Sequence, residues 1–350
     1  MVKKIVKVIL LIILAVILLF LALLLTFRFG RNADKTLQME RVEQLQASPR
    51  SVTVIPDSLL DDGLRLNQIR YLATHNSYHH QAGPLQLAVL ELVEPGEAEK
   101  LKYSHLDFYR QLDIGVRSFE FDLRYYRNGN VENIHVPLVD NRGHSPSFRL
   151  SLEEMRFWSE RHPLHVPVIV IMQTKDDWMF IDPGLKKWSP EALLEVDRLI
   201  AEIMGSRIIT PSELTGDAAS VRDAVIDEGW PELSESRGKF FFVFHESESD
   251  VFNSEYFEHE DRVSFFMDTA DSPEASFILR NEADAEDITG LIKQGFIVRT
   301  RADADCLRSE NKKQTAIVSG AQIVSTDYPK GYAVSGDYRL SWNELLSTIY

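Results

Sequence analysis

The sequence predicts an α/β protein, a closed (β/α)8 barrel of parallel strands led by a membrane-spanning helix. Three observations predict it. Eight short β-rich apolar runs recur along the chain, several gaps between them carry helix signals, and Val8 to Phe27 is almost unbroken Leu, Ile, Val, Ala and Phe. Strand followed by helix, repeated, implies a parallel sheet, and eight rounds of it imply closure.

The apolar stretch is about as long as a bilayer core is thick. Lys3, Lys4 and Lys7 precede it and Arg28 and Arg31 follow, so the charge bias places the rest of the chain outside the cytoplasm. A cleavable signal peptide has a shorter apolar core and an A-x-A-like site. Here Thr26-Phe27-Arg28-Phe29-Gly30 follows, so residues 1–30 read as an uncleaved anchor. Residues 31–63 are polar and read as a short helix and tether, roughly 30 residues that reach tens of ångströms. The barrel is expected over 64–350.

Its strand runs are Ile69 to Ala73, Val116 to Leu123, Val131 to His135, Val166 to Met172, Lys239 to Phe244, Arg262 to Met267, Phe296 to Arg299 and Gln322 to Ser325. Ser151-Leu152-Glu153-Glu154 has the form of a capping box leading into Met155 to Trp158. Ser189-Pro190 places a cap and a first-turn proline before Ala192 to Met204. Asp284 to Gln294 reads as a helix stopped by Gly295.

The net charge, 38 minus 53 or −15, argues against nucleic acid as a partner, because phosphate backbones select basic surfaces. Cys306 is the single cysteine, so no internal disulfide can form, and cysteine usage leaves the compartment open. Oligomeric state leaves no mark in the sequence.

Polar residues collect where the apolar runs end. His75 and Asn76 follow the first run, Glu120 and Asp122 end the second, and His135 closes the third. Gln173 and Lys175 follow the fourth, Arg299 and Arg301 the seventh, and Asp327 the eighth. Catalytic groups of a barrel belong at the carboxy-terminal ends of its strands. In Phe119-Glu120-Phe121-Asp122 the period of two sends both carboxylates to one face. With the amide of Asn76 they make a hard-cation site beside an imidazole, which suits cleavage of a phosphate ester. His79, His80, His144, His162 and His165 read as loop residues, and Glu246-Ser247-Glu248-Ser249-Asp250 as an exposed acidic loop.

Several stretches resemble, in order over about 64–335, the calcium-dependent phosphoinositide-specific phospholipases C of bacterial and fungal type. They are Thr74-His75-Asn76-Ser77-Tyr78, Glu120-Phe121-Asp122, His135-Val136-Pro137, Gly229-Trp230-Pro231, Val298-Arg299-Thr300-Arg301 and Ser325-Thr326-Asp327-Tyr328-Pro329. The resemblance implies an irregular TIM barrel with Ca2+ in its mouth, acting on a phosphoinositide or related phosphodiester lipid at a membrane. It makes His75 similar to the family's general base and His135 to its second catalytic histidine, though the residues alone leave the order of proton transfer open. It assigns Asn76, Glu120 and Asp122 as Ca2+ ligands and Lys175 and Arg299 as phosphate or headgroup contacts. Gln173 stands where the family commonly has a ligating Glu and is a fourth expected Ca2+ ligand, its amide oxygen still able to bind the ion but without the negative charge. The implied products are diacylglycerol and a cyclic inositol phosphate. Two alternatives accompany this reading. One is a glycerophosphodiester phosphodiesterase, whose His-Arg-Gly and Glu-Asn-Thr elements are missing here; the other is a catalytically impaired, membrane-tethered headgroup-binding protein.

Overall fold

The computed structural model describes residues 2–49, 52, 54–245, 251–303, 307–330 and 337–346. The acidic run 246–250, Asp305 and Cys306 lie outside them.

Among the described residues nine strands form one sheet: β1 (Tyr71–Thr74), β2 (Val116–Tyr125), β3 (Val131–Asn133), β4 (Val168–Thr174), β5 (Phe240–His245), β6 (Phe265–Phe266), β7 (Phe277–Leu279), β8 (Ile297–Arg301) and β9 (Ile323–Thr326). Eight of them run parallel in the order β6-β5-β4-β2-β1-β9-β8-β7, and a single parallel bridge from Met267 to Phe277 joins the two ends into a nearly closed barrel.

The eightfold count is therefore right, with one member exchanged. The run at Val131 is not a barrel strand. Asn128-Gly129, with Gly129 at φ +83°, folds β3 back antiparallel onto β2 in the register Tyr125 to Val131, as Asn-Gly turns do. The eighth barrel strand is β7, three residues too short to show a period. Hydrogen bonding is sparse where β6 meets β7, and rings take over. Phe241, Phe265, Phe277 and Trp230 pack with centroids 5.3–5.8 Å apart, each such pair contributing roughly 0.5–1.5 kcal/mol beyond its buried area.

The helices that matter for the site are α1 (Val2–Ala47), α2 (Pro84–Val93), α3 (Phe148–Arg161) and α4 (Pro190–Met204). The α3 cap is Ser147, whose hydroxyl accepts from Leu150 N. The expected cap, Ser151, lies one turn inside and donates to Ser147 O at 2.8 Å. Ser189 caps α4 as expected, and Asp284 caps the helix Ala285–Lys293.

α1 is the one helix among the described residues long and apolar enough to cross a membrane. The segment expected as a tether continues it without a break to Ala47 and is docked on the barrel. Arg31 is buried, bonds Glu132 Oε2 at 2.8 Å and donates to Asn141 O at 2.6 Å. Asp34 receives two bonds from Arg142, at 2.6 and 2.8 Å. Gln38 bonds Ser147 through both ends of its amide, and Arg41 pairs with Glu154 at 3.0 Å. These contacts all fall on the segment 132–154, which also carries His135.

A second buried pair anchors the entry to the barrel. Asp57, fully buried, accepts from Arg117 Nε at 2.6 Å and from Val166 N at 3.2 Å. Burial alone would raise the Asp57 carboxyl, but the Arg117 guanidinium outweighs it and holds the group below its ordinary range. Replacing Asp57 by Ala strands a buried cation and is expected to cost roughly 3–5 kcal/mol in urea unfolding at neutral pH. Because the folded pKa is the lower one, this stabilisation is present above the unfolded value and is lost as pH falls through the folded value. The gap between wild type and variant should therefore close in acid.

Candidate active site

The turn after β1 is built around Ser77. Ser77 N donates to Glu120 O and Glu120 N donates to Ser77 Oγ, both at 2.8 Å, so the His-Asn motif is clasped to the Glu-Phe-Asp strand. Asn76 sits at φ +45°, a left-handed conformation that Asn tolerates better than most side chains. On β2 the alternation holds. Phe121 faces outward against Phe108 and Phe148, while Glu120 and Asp122 share the opposite face. Across the sheet Asp122, Gln173 and His245 stand side by side on β2, β4 and β5.

One polar cleft of about 280 Å3 opens there, with His75, Asn76, Glu97, Lys100, Glu120, Asp122, His135, Gln173, Lys175, Arg301 and Asp327 on its walls. Each cleft histidine is paired through Nδ1 with a carboxylate of its own. His75 faces Asp327 Oδ1 at 3.3 Å, and His135 faces Asp140 Oδ2 at 2.9 Å. That leaves Nε2 as the nitrogen that can exchange a proton with a substrate.

The two imidazoles are driven in opposite directions. Burial and then the Arg301 charge push His75 down to about 3, against the pull of Glu120. Burial also opposes charge on His135, but the Asp140 hydrogen bond and the Asp122 charge outweigh it and raise its pKa above the ordinary value. Asp140 is itself held well below the usual carboxylate range, since His79 and His135 overcome the cost of burying it.

The carboxylates of β2 differ as well. Glu120 is bonded by Arg299, with Arg301 4.0 Å from its other oxygen. Burial raises its carboxyl, and Arg299 and His75 overcome that and hold it well below the normal range. Asp122 accepts from the Tyr78 hydroxyl at 3.1 Å through Oδ2, while its buried Oδ1 has no hydrogen-bond donor among the described residues and lies 3.8 Å from Lys175 Nζ.

Of the expected site residues, Arg299 alone is not on the cleft wall. It is buried and committed to Glu120 and to Asn281 Oδ1 at 2.6 Å; Arg301, two positions further along the same face of β8, reaches the cleft. Four participants escaped the sequence reading. His245 lies at the end of β5. Asp140 follows His135 by five residues. His79, expected as a loop residue, is fully buried and bonds Asp140 at 3.0 Å. His105 Nε2 bonds the carbonyl of His75 at 2.8 Å. The loop carrying Asp140 packs tightly here, because a Cβ on Gly143 would come within 2.8 Å of Tyr78 O.

The fold defines a class, the nearly closed parallel α/β barrels. Residues 64–132 and 124–348 match the family described as phosphoinositide phospholipase C, Ca2+-dependent, and the chain belongs to it. It is a phosphodiesterase of that type. Among solved structures it is similar to a calcium-dependent phosphoinositol-specific phospholipase C from Pseudomonas sp., at 16% identity over 78% of this chain and 95% of that one, TM-score 0.57. It is also similar to a Ca2+-dependent phosphatidylinositol-specific phospholipase C from Streptomyces antibioticus, at 19% identity over 75% and 95%, TM-score 0.54. A mutant of the phosphatidylinositol-specific phospholipase C from Staphylococcus aureus is a third, at 16% identity over 86% and 97%, TM-score 0.53. At these identities the likeness carries the fold. No curated protein sequence matches the chain.

Proposed function

We propose that this chain is a membrane-anchored, Ca2+-assisted phospholipase C that cleaves phosphatidylinositol-type lipids, with its barrel outside the cytoplasm. One observation carries the reading: two histidines in a single cleft, each oriented through Nδ1 by a different buried carboxylate.

His75, held neutral, takes the proton of the inositol 2-hydroxyl at Nε2. The freed oxygen bonds to phosphorus within the same molecule, a pre-positioned attack that removes several kcal/mol of barrier. The bond from phosphorus to the glycerol oxygen breaks, and His135, whose pKa Asp140 and Asp122 raise, delivers a proton to that leaving oxygen. Three cations line the cleft; Lys100 is paired with Glu97, and Lys175 and Arg301 are placed to balance charge on the non-bridging phosphoryl oxygens. Diacylglycerol and a cyclic inositol phosphate are the products.

The donor set fits a hard cation. Asn76, Glu120, Asp122 and Gln173 bring oxygens to one cleft, and Asp122 Oδ1 is a buried carboxylate oxygen without a donor among the described residues, a costly arrangement for an anionic acceptor. When bound there, Ca2+ would supply Lewis acidity toward a phosphoryl oxygen and the 2-hydroxyl.

The test is release of cyclic inositol phosphate from phosphatidylinositol vesicles by the full chain, with and without chelator. Release that stops with chelator and returns with Ca2+ is expected. Release indifferent to chelator removes the cation from the reading, and no release at all removes the activity. Family membership favours this reading over a glycerophosphodiesterase. The neutral amide at Gln173 favours one competitor, a headgroup-binding protein without turnover, which predicts lipid binding with no product.

Asp140 supplies a pH prediction. It raises the His135 pKa, so Asp140→Asn should lower it and empty the proton from His135 at a lower pH. The alkaline limb of the kcat/KM profile is expected to move acidward, while the acid limb stays. A profile merely scaled down would assign Asp140 a structural role.

A further inference from the structure

Beside the polar cleft lies a second cavity of about 290 Å3 with the opposite chemistry. Its walls come from the end of the apolar part of α1 (Leu24, Phe27), from α2 (Val89, Val93), from Val139 in the loop after His135, and from Phe180 after β4. Glu94 is the one charged residue among those that line it. One apolar cluster borders both spaces. It consists of Leu90, Leu101, Tyr103 and Val139, of which Leu90 and Val139 face the groove while Leu101 and Tyr103 face the cleft. Leu92, Val93 and Phe180 are exposed beside it, at 84%, 55% and 77%.

We propose that this groove holds an acyl chain of the membrane lipid whose headgroup enters the cleft. The inference rests on the phospholipase reading and deepens it. The occupant follows from what builds the wall. Leu24 and Phe27 belong to the last turns of the apolar stretch of α1, the part apolar enough to span a bilayer, so the groove opens at the depth where that stretch ends. The chain of a lipid in that leaflet then reaches the groove without crossing water. A polar cleft and an apolar groove bordered by one apolar cluster also match a molecule that is polar at one end and apolar at the other. The ion pairs of Arg31 and Asp34 just beyond the groove fix α1 against the loop that carries Val139, so the wall keeps its place.

The experiment uses the full chain in phosphatidylcholine vesicles carrying phosphatidylinositol with a photoactivatable group on its acyl chain, the adducts being mapped by mass spectrometry. Labelling is expected on α2 and on the 136–139 loop, reduced several-fold by Val89→Trp, which fills the groove. Val93→Trp narrows its mouth from an exposed position, where folding is not at stake, and is expected to act the same way. Both variants should slow turnover of long-chain phosphatidylinositol and leave turnover of an acyl-free headgroup phosphodiester unchanged. Label confined to the lipid-facing surface of α1, or labelling of the loop that neither variant alters, overturns the groove. Groove labelling without any product release supports the groove while removing the phospholipase activity, so the two failures are told apart.

Discussion

His75→Ala is expected to lower phosphatidylinositol turnover by roughly 10²–10⁴-fold, the usual worth of a positioned general base. The fold should survive the change, because the turn does not depend on the imidazole. Ser77 clasps Glu120 through two hydrogen bonds, and His105 bonds the backbone carbonyl of residue 75 rather than its side chain. His135→Ala should cost a comparable factor through the leaving-group proton. The double variant should be scarcely worse than the poorer single one, since groups that move one proton in and one proton out act as a unit. Product release measured in vesicles, with unfolding followed alongside, checks all three. Turnover within a few-fold of wild type for His75→Ala would falsify its role as base, and additive losses would separate the two histidines into independent functions.

Why the two histidines and Asp327 were visible in the sequence, while Asp140 was not, follows from what a strand advertises. Strand ends are marked by apolar runs stopping, so His75, Asn76, Glu120, Asp122 and Gln173 could be placed at one mouth without coordinates. Depth along a strand is not marked. Arg299 and Arg301 share a face of β8, and only packing shows that Arg299 is spent on Glu120 and Asn281 while Arg301 reaches the cleft. Asp140 sits in an irregular loop after β3, and nothing in Val136-Pro137-Leu138-Val139 says that the chain turns back toward His135. His245 closes β5 just before an acidic run that drew attention as a loop instead. The docked part of α1 was missed for another reason. Its contact face, Arg31, Asp34, Gln38 and Arg41, has helical spacing but is polar, and hydrophobic periodicity does not register a stripe that docks through ion pairs. The strand exchange had a readable signal, because Asn128-Gly129 marks a hairpin and should have demoted the run at Val131.

Asp122→Asn should weaken Ca2+ binding by about tenfold or more, since affinity in oxygen sites follows ligand charge and each tenfold step is 1.4 kcal/mol. The substitution is isosteric, and an amide oxygen can still accept from the Tyr78 hydroxyl, so the packing around β2 is retained. What disappears is the charge on Oδ1, the buried oxygen that has no donor among the described residues. Gln173→Glu is the mirror experiment. Residue 173 lies beside Asp122 in the sheet register, so a carboxylate there adds a charge to the same donor set and should tighten binding by a similar factor. Calorimetric Ca2+ titration reads both without reference to turnover. A rival account has Asp122 serving only as counter-ion to Lys175, 3.8 Å away. That account predicts an unchanged titration for Asp122→Asn and no gain from Gln173→Glu. It also predicts that Lys175→Met reproduces the Asp122 defect in turnover. If the cation reading holds, removing the Lys175 charge instead leaves Ca2+ binding intact or stronger, because a competing positive group has left the neighbourhood of Oδ1.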